Sequence, residues 1–298
     1  MPPWIASTGA TSLHWQVYFD QTYRPFRSIA VMENSMRVGL FVPCYIDQMY
    51  PDVAVATLEL LEGAGLKVEF PAAQTCCGQP MANTGCNDAA RPLAARFLDL
   101  FDPFDYIVCP SGSCTSMVRN HFSDLVGNDP RLKSIQSRTF ELCEFLHDVH
   151  PIDFSGNRFP FRVGLHQSCH GLRELRLGGD SEQMIERPDK VRSLLAQVQG
   201  LSFVELQRVD ECCGFGGTFA VNERAVSVAM GEDRVQDHLD AGAEVMVASD
   251  MSCLMHLWGL ISRQGSPLAV MHVAQVLAGR SPTVSVKNSI KPKTGNAV

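Results

Sequence analysis

Eleven cysteines dominate the chemistry this sequence can do, and most of them fall into a repeated pattern. Thr75-Cys76-Cys77-Gly78-Gln79-Pro80 is answered by Glu211-Cys212-Cys213-Gly214-Phe215-Gly216. Each adjacent pair has a single cysteine upstream, Cys44 and Cys169. Downstream stand Cys109 and Cys114 in the first copy and Cys253 in the second. Thiolates are soft donors that suit iron–sulfur clusters or zinc. The first copy offers Cys44, Cys76, Cys77, Cys109 and Cys114, one more than an ordinary 4Fe–4S cluster uses. In the second, the position matching Cys109 falls near Ser249, which leaves Cys169, Cys212, Cys213 and Cys253. Zinc sites usually draw on short knuckles of two cysteines a few residues apart. Neither copy has one, so the spacing favours iron–sulfur ligation over zinc or buried thiols. A disulfide within an adjacent pair would be strained. Residues 1–35 carry no secretory signal pattern, and in a reducing cytosol cysteines ligate metals more often than they cross-link.

Other residues invite weaker readings. Cys143 lies on the apolar face of a helical pattern and reads as a core thiol, and Cys86 reads as structural. His166, His170 and His256 neighbour the cysteines; each either donates a hydrogen bond to sulfur or is a partly buried polar residue. Gly214-Phe215-Gly216-Gly217 fails the dinucleotide pattern at Phe219, so its glycines are expected to let backbone amides approach cluster sulfides.

The elements that position these residues alternate between strand and helix. Short apolar runs at 37–44, 66–70 and 106–109 read as strands, with helices at 51–63, 87–101, 115–122 and 139–149. After a Pro- and Gly-containing stretch at 151–160 the score restarts: strands at 161–165, 202–206 and 244–248, and helices at 190–197, 222–241 and 269–277. This predicts an α/β protein of two similar domains, each a parallel sheet flanked by helices, related by a pseudo-twofold axis. The expected divisions are an extension at 1–35 (disordered, or preceding the natural start at Met36), a first domain at 36–150, a linker at 151–160, a second domain at 161–280 and a disordered tail at 281–298. The cysteines follow strand ends, where ligands bind in open parallel sheets.

With 298 residues, 45% hydrophobic content and a net charge of -7, the chain has the composition of a globular protein of about two domains. It has no basic patch suited to nucleic acid, and no apolar run approaches the ~18 residues of a membrane span.

Val42-Pro43-Cys44-Tyr45-Ile46-Asp47, Cys76-Cys77-Gly78-Gln79-Pro80, Cys109-Pro110-Ser111-Gly112-Ser113-Cys114, Glu211-Cys212-Cys213-Gly214-Phe215-Gly216-Gly217 and Ser252-Cys253-Leu254-Met255-His256 together resemble the cysteine-rich CCG domain family. That family includes the cysteine-rich subunit of heterodisulfide reductase, the glycolate oxidase iron–sulfur subunit and the lactate utilisation proteins, and the wording sits with the last. The resemblance covers about 36–279. It implies an electron-transferring subunit of a cytoplasmic, or peripherally membrane-associated, complex that oxidises L-lactate to pyruvate. A ferredoxin-type iron–sulfur partner and a substrate-oxidising partner would complete it, and the chain alone would turn over nothing. It implies one 4Fe–4S cluster per domain. The first, on Cys44, Cys76, Cys77, Cys109 and Cys114, matches the family's five-cysteine non-cubane pattern; the second is expected to be an ordinary cluster on Cys169, Cys212, Cys213 and Cys253. Three rivals stay open: a thiol–disulfide reductase using the five-cysteine site, a glycolate oxidase subunit, and a zinc scaffold.

Overall fold

The computed structural model describes residues 36–282; the extension and most of the tail named above lie outside the described residues. Two four-stranded sheets carry the chain, and every strand in both is parallel to its neighbours. The first contains β1 (Arg37–Leu40), β2 (Lys67–Glu69), β3 (Tyr106–Cys109) and β4 (Thr139–Glu141), in the order β2-β1-β3-β4. The second contains β5 (Arg162–Leu165), β6 (Ser202–Phe203), β7 (Val245–Ala248) and β8 (Ala269–His272), in the order β6-β5-β7-β8. The same wording, Arg-Val-Gly-Leu, opens both halves as β1 and β5. Central strands of a sheet covered on both faces must be apolar throughout, and Val245–Ala248 is buried at every position.

Helices on the faces supply that cover. Asn87–Phe101 buries Ala90, Ala94, Phe97, Leu98 and Phe101. Its counterpart Arg224–Asp240 buries Ser227, Gly231, Arg234, Val235, Asp237 and His238, a polar face in the equivalent place. A helix this polar on its buried side signals work other than packing.

Two predicted helices begin later than expected. Residues 139–149 open as β4 before turning helical at Leu142, and residues 269–277 open as β8 before the helix Val273–Leu277. Thr139 pairs with Ile107 and Val270 with Met246, both distant in sequence. Edge strands of three or four residues are too short to show alternation beside a longer helical pattern. The helix expected at 115–122 starts earlier, at Gly112, because the Ser111 side chain accepts the Cys114 N–H and caps it. The stretch 151–160 is built into the molecule: Ile152, Phe154 and Phe159 are buried in a core that runs continuously from Val38 and Leu40 to Val163 and Met246.

In the order β2-β1-β3-β4 the direction in which strands are added across the sheet switches between β1 and β3, and the second sheet repeats this between β5 and β7. Loops leaving the carboxyl ends of two such strands diverge to opposite faces and leave a crevice. Cys44 follows β1, Cys109 ends β3, Cys169 follows β5 and Cys253 follows β7.

Candidate metal centres

Register fixes which residues of the halves correspond. Gly39 pairs with Ile107 and Gly164 with Met246. Counting on from there, Cys114 corresponds to Cys253, and Cys109 corresponds to Ala248. The residue in the fifth cysteine's place is therefore Ala248, one position before the Ser249 expected from sequence, and a methyl group offers no ligand atom. Ser111 corresponds to Asp250, and these two form an antiparallel bridge across the boundary between the halves. Contact between equivalent residues is what a twofold axis produces.

The structure brings four thiols together in each half. In the first, Cys44 and Cys77 hydrogen-bond to Cys76, and Cys77 lies 3.5 Å from Cys114, sulfur to sulfur. In the second, Cys169 and Cys213 hydrogen-bond to Cys212, and Cys213 contacts Cys253. Cys109 is fully buried at the end of β3 near Cys114, but its hydrogen bond is with the Thr115 hydroxyl and not with the other sulfurs. Cys143 is a buried core thiol and Cys86 is exposed.

Each paired loop treats its first cysteine alike. Gly78 and Gly214 have φ of 86° and 83°, a conformation natural to glycine. It turns each N–H onto the sulfur two residues back, Gly78 N to Cys76 Sγ and Gly214 N to Cys212 Sγ, both at 3.4 Å. Hydrogen bonds from Cys44 and Cys77, with the Gly78 amide, hold the Cys76 thiol down to about 3. The same set from Cys169, Cys213 and Gly214 holds Cys212 down to about 2. Cys44 and Cys169, which donate to these anions, are pushed up by that bond and then by burial. A thiolate is thus ready in each half, and metal binding would displace protons from the others. Four converging thiols, largely buried and helped by a backbone amide, fit an iron–sulfur cluster.

Around the sulfurs the halves diverge. Phe41 N donates to Val108 O and His166 N to Val247 O, so these two residues correspond. Phe41 packs on Phe97 and Phe101, ring centroids at 4.9 and 5.6 Å. His166 is buried within 4.8 Å of Cys213 and Cys253, on Arg234. Of the other histidines, His170 Nδ1 sits 3.7 Å from Cys169 Sγ and its Nε2 3.3 Å from Gln79, whereas His256 Nε2 faces Ser227 O at 3.3 Å. Sequence reading missed Asp250, Tyr45 and Arg234. Asp250 joins the halves, accepting from Ser113 N at 2.8 Å, Tyr45 OH at 3.1 Å and Ser111 Oγ at 3.2 Å. Its signal was the Ser-Asp-x-Ser cap ahead of a helix; that of Arg234 was a charge at helical spacing from Ser227, Gly231 and His238, on the face the helix buries.

Two doubly wound sheets, each presenting a Cys-Cys-Gly loop and two further sulfurs at its crevice, define a protein of paired cysteine-rich domains. The profile of the CCG cysteine-rich domain family matches residues 38–119 and 163–258. Lactate utilization protein A of Exiguobacterium sp. strain AT1b is 42% identical over 245 residues, covering 80% of this chain and 96% of that protein. Lactate utilization protein A of Geobacillus kaustophilus is 38% identical over 250 residues, covering 83% and 100%. The chain belongs to this family of CCG-domain proteins. A hypothetical protein from Helicobacter pylori shares the fold, with a TM-score of 0.55 at 11% identity over 86% of this chain; the match spans 51% of that protein. Among the described residues no helix is long and apolar enough to cross a membrane.

Proposed function

We propose that the chain is the iron–sulfur electron carrier of a lactate-oxidising complex, passing electrons from a substrate-oxidising subunit to a ferredoxin-type partner on the cytoplasmic side of the membrane. The observation that carries this reading is the convergence, twice, of four thiols at a sheet crevice around one stabilised thiolate. Cys44, Cys76, Cys77 and Cys114 would hold one cluster and Cys169, Cys212, Cys213 and Cys253 the other. Bound there, an iron–sulfur cluster supplies one-electron redox chemistry without proton or group transfer. Gly78 and Gly214 would keep their amides on cluster sulfur, and the surrounding core would exclude water. Cys109, behind Cys114, is a fifth sulfur available only to the first site.

Iron and sulfide analysis of the full chain purified without oxygen tests the reading. The expected content is about eight iron per chain, from two clusters of four. About four would mean one empty half, and zinc without iron would overturn the proposal. Lactate should bleach the visible absorption only when the partner subunits are present. Reduction of a mixed disulfide by the isolated chain would instead favour a reductase working through the five-cysteine half.

A further inference from the structure

His166 is buried to 1% exposure and its two ring nitrogens face different things. Arg234 Nε lies 3.2 Å from Nδ1. A guanidinium only donates, so Nδ1 must carry the lone pair. An imidazole whose Nδ1 holds a lone pair is the neutral form, since both ring nitrogens of the cation carry hydrogen. The proton of the neutral ring is then on Nε2, and Nε2 has no hydrogen-bond partner among the described residues. Meanwhile the ring stands within 4.8 Å of the sulfurs of Cys213 and Cys253. The tautomer also decides against ligation. A histidine that binds metal through one nitrogen gives the hydrogen on the other to an acceptor; here the other nitrogen meets a donor.

Arg234 is itself fixed. It is fully buried, paired with Asp237 at 3.0 Å, and donates to the backbone carbonyls of Arg208 and Val209. Asp237 in turn accepts the backbone N–H groups of Gln207 and Arg208. The loop that leads to Cys212 thus anchors the arginine that sets the histidine.

In the first half this apparatus is replaced by hydrocarbon. A Cβ at Gly39 would strike Phe104 and, next, reach Phe101 at 3.0 Å, and one at Gly164 would strike His238; a Cβ at Gly78 would meet Ala90 and one at Gly214 would meet Ser227. Spacing along the two helices then matches Phe97 with Arg234. The set Phe41, Phe97 and Phe101 corresponds to His166, Arg234 and His238, and Phe41 shares a buried apolar cluster with Cys77, Cys109 and Cys114.

Resting on the two-cluster reading above, we propose that His166 donates its Nε2–H to sulfur of the second centre, with Arg234 as the positioning residue, and that this makes the second centre more easily reduced than it would be with hydrocarbon in that place. A hydrogen bond to ligand sulfur stabilises the more negative, reduced cluster, and hydrocarbon does not. The near-symmetric fold would therefore hold two electrically unequal sites.

The test is a potentiometric titration, followed by electron paramagnetic resonance, of the anaerobically purified full chain. His166→Phe, which copies the first half, should move one midpoint to more negative potential and leave the other in place; His166→Gln, which keeps an N–H donor, should move it less. Phe41→His should leave the second midpoint where it was. A second midpoint unchanged in His166→Phe at wild-type iron content overturns the proposal while leaving the two-cluster reading intact. Loss of second-site iron in the wild type overturns both. If His166→Phe fails to fold, double resonance on the wild type decides. A weakly coupled exchangeable proton that is absent in His166→Leu bears the proposal out only if no nitrogen is bound directly to iron. A directly bound imidazole nitrogen, or no such proton, overturns it.

Discussion

The Asp250 carboxylate accepts the backbone N–H of Ser113 at 2.8 Å across the boundary between the halves. Ser113 precedes Cys114. Asp250 also caps the helix Met251–Gln264 that carries Cys253, accepting from Ser252 N and Oγ. One buried carboxylate therefore anchors a sulfur-bearing turn in each half.

Asp250→Ala should destabilise the chain by about 2–4 kcal/mol, the cost of a helix cap plus charge-assisted bonds left unmade in the interior. Chemical denaturation at neutral pH measures it, and a loss below ~1 kcal/mol would contradict the anchoring role. Burial alone would push the carboxyl up, but bonds from Ser252 and Ser113 hold it below the usual range. A lowered folded value gives stability that is present above the ordinary carboxylate range and lost as pH falls through the folded value. Asp250→Asn should accordingly flatten the acid limb of the stability curve.

Glu141 gives the opposite sign. Burial pushes its carboxyl up to about 8, even though it accepts the N–H groups of Cys143 and Glu144. The folded protein then holds a proton that the unfolded chain releases, so stability declines as pH rises from the ordinary carboxylate range toward about 8. Glu141→Gln should remove that decline, its advantage growing across the window and levelling above it. Parallel pH slopes for the two proteins would refute the assignment.

The two loop glycines should differ in their tolerance. Both have positive φ, which costs an L-residue roughly 1–2 kcal/mol. A Cβ at Gly78 would meet Ala90 Cβ at 3.3 Å, whereas one at Gly214 would press on Ser227 O at 2.7 Å, a backbone atom that cannot step aside. Gly214→Ala should lower the unfolding midpoint more than Gly78→Ala, and should cost iron selectively from the second half. Equal losses would mean the helix Arg224–Asp240 yields freely.

The fifth sulfur can be moved between the halves. Cys109→Ala should keep iron in the first site but change its spectrum toward that of the second, while Cys76→Ser should lose that iron. Ala248→Cys, which creates the register equivalent of Cys109, should draw the second site's spectrum toward the first. Unchanged spectra in both Cys109→Ala and Ala248→Cys would show that Cys109 is a core thiol only.

Much of this arrangement was legible beforehand. The Cys-Cys-Gly repeats, strands ending at cysteines and helices spaced for one buried face marked two parallel-sheet halves, because local periodicity and residue chemistry are written directly in the chain. β4 and β8 were not, since a short edge strand exists only by pairing with β3 or β7. The match of Cys109 with Ala248 needed the register, because loop lengths differ between the halves and sequence counting drifted by one residue. That 151–160 would be packed rather than free depended on the shared core.

By itself, then, the sequence determined which atoms could ligate, since softness and spacing of thiols are properties of residue type and order. It also determined that they would sit after parallel strands. Only the tertiary structure decided how unequal the two sites are. Phe41 against His166 and Phe97 against Arg234 become comparable once two helices are laid on two sheets, and the tautomer of a buried imidazole is set by a guanidinium distant in sequence. Hydrogen-bond direction and burial are relations between segments, and they come into being when the chain closes on itself.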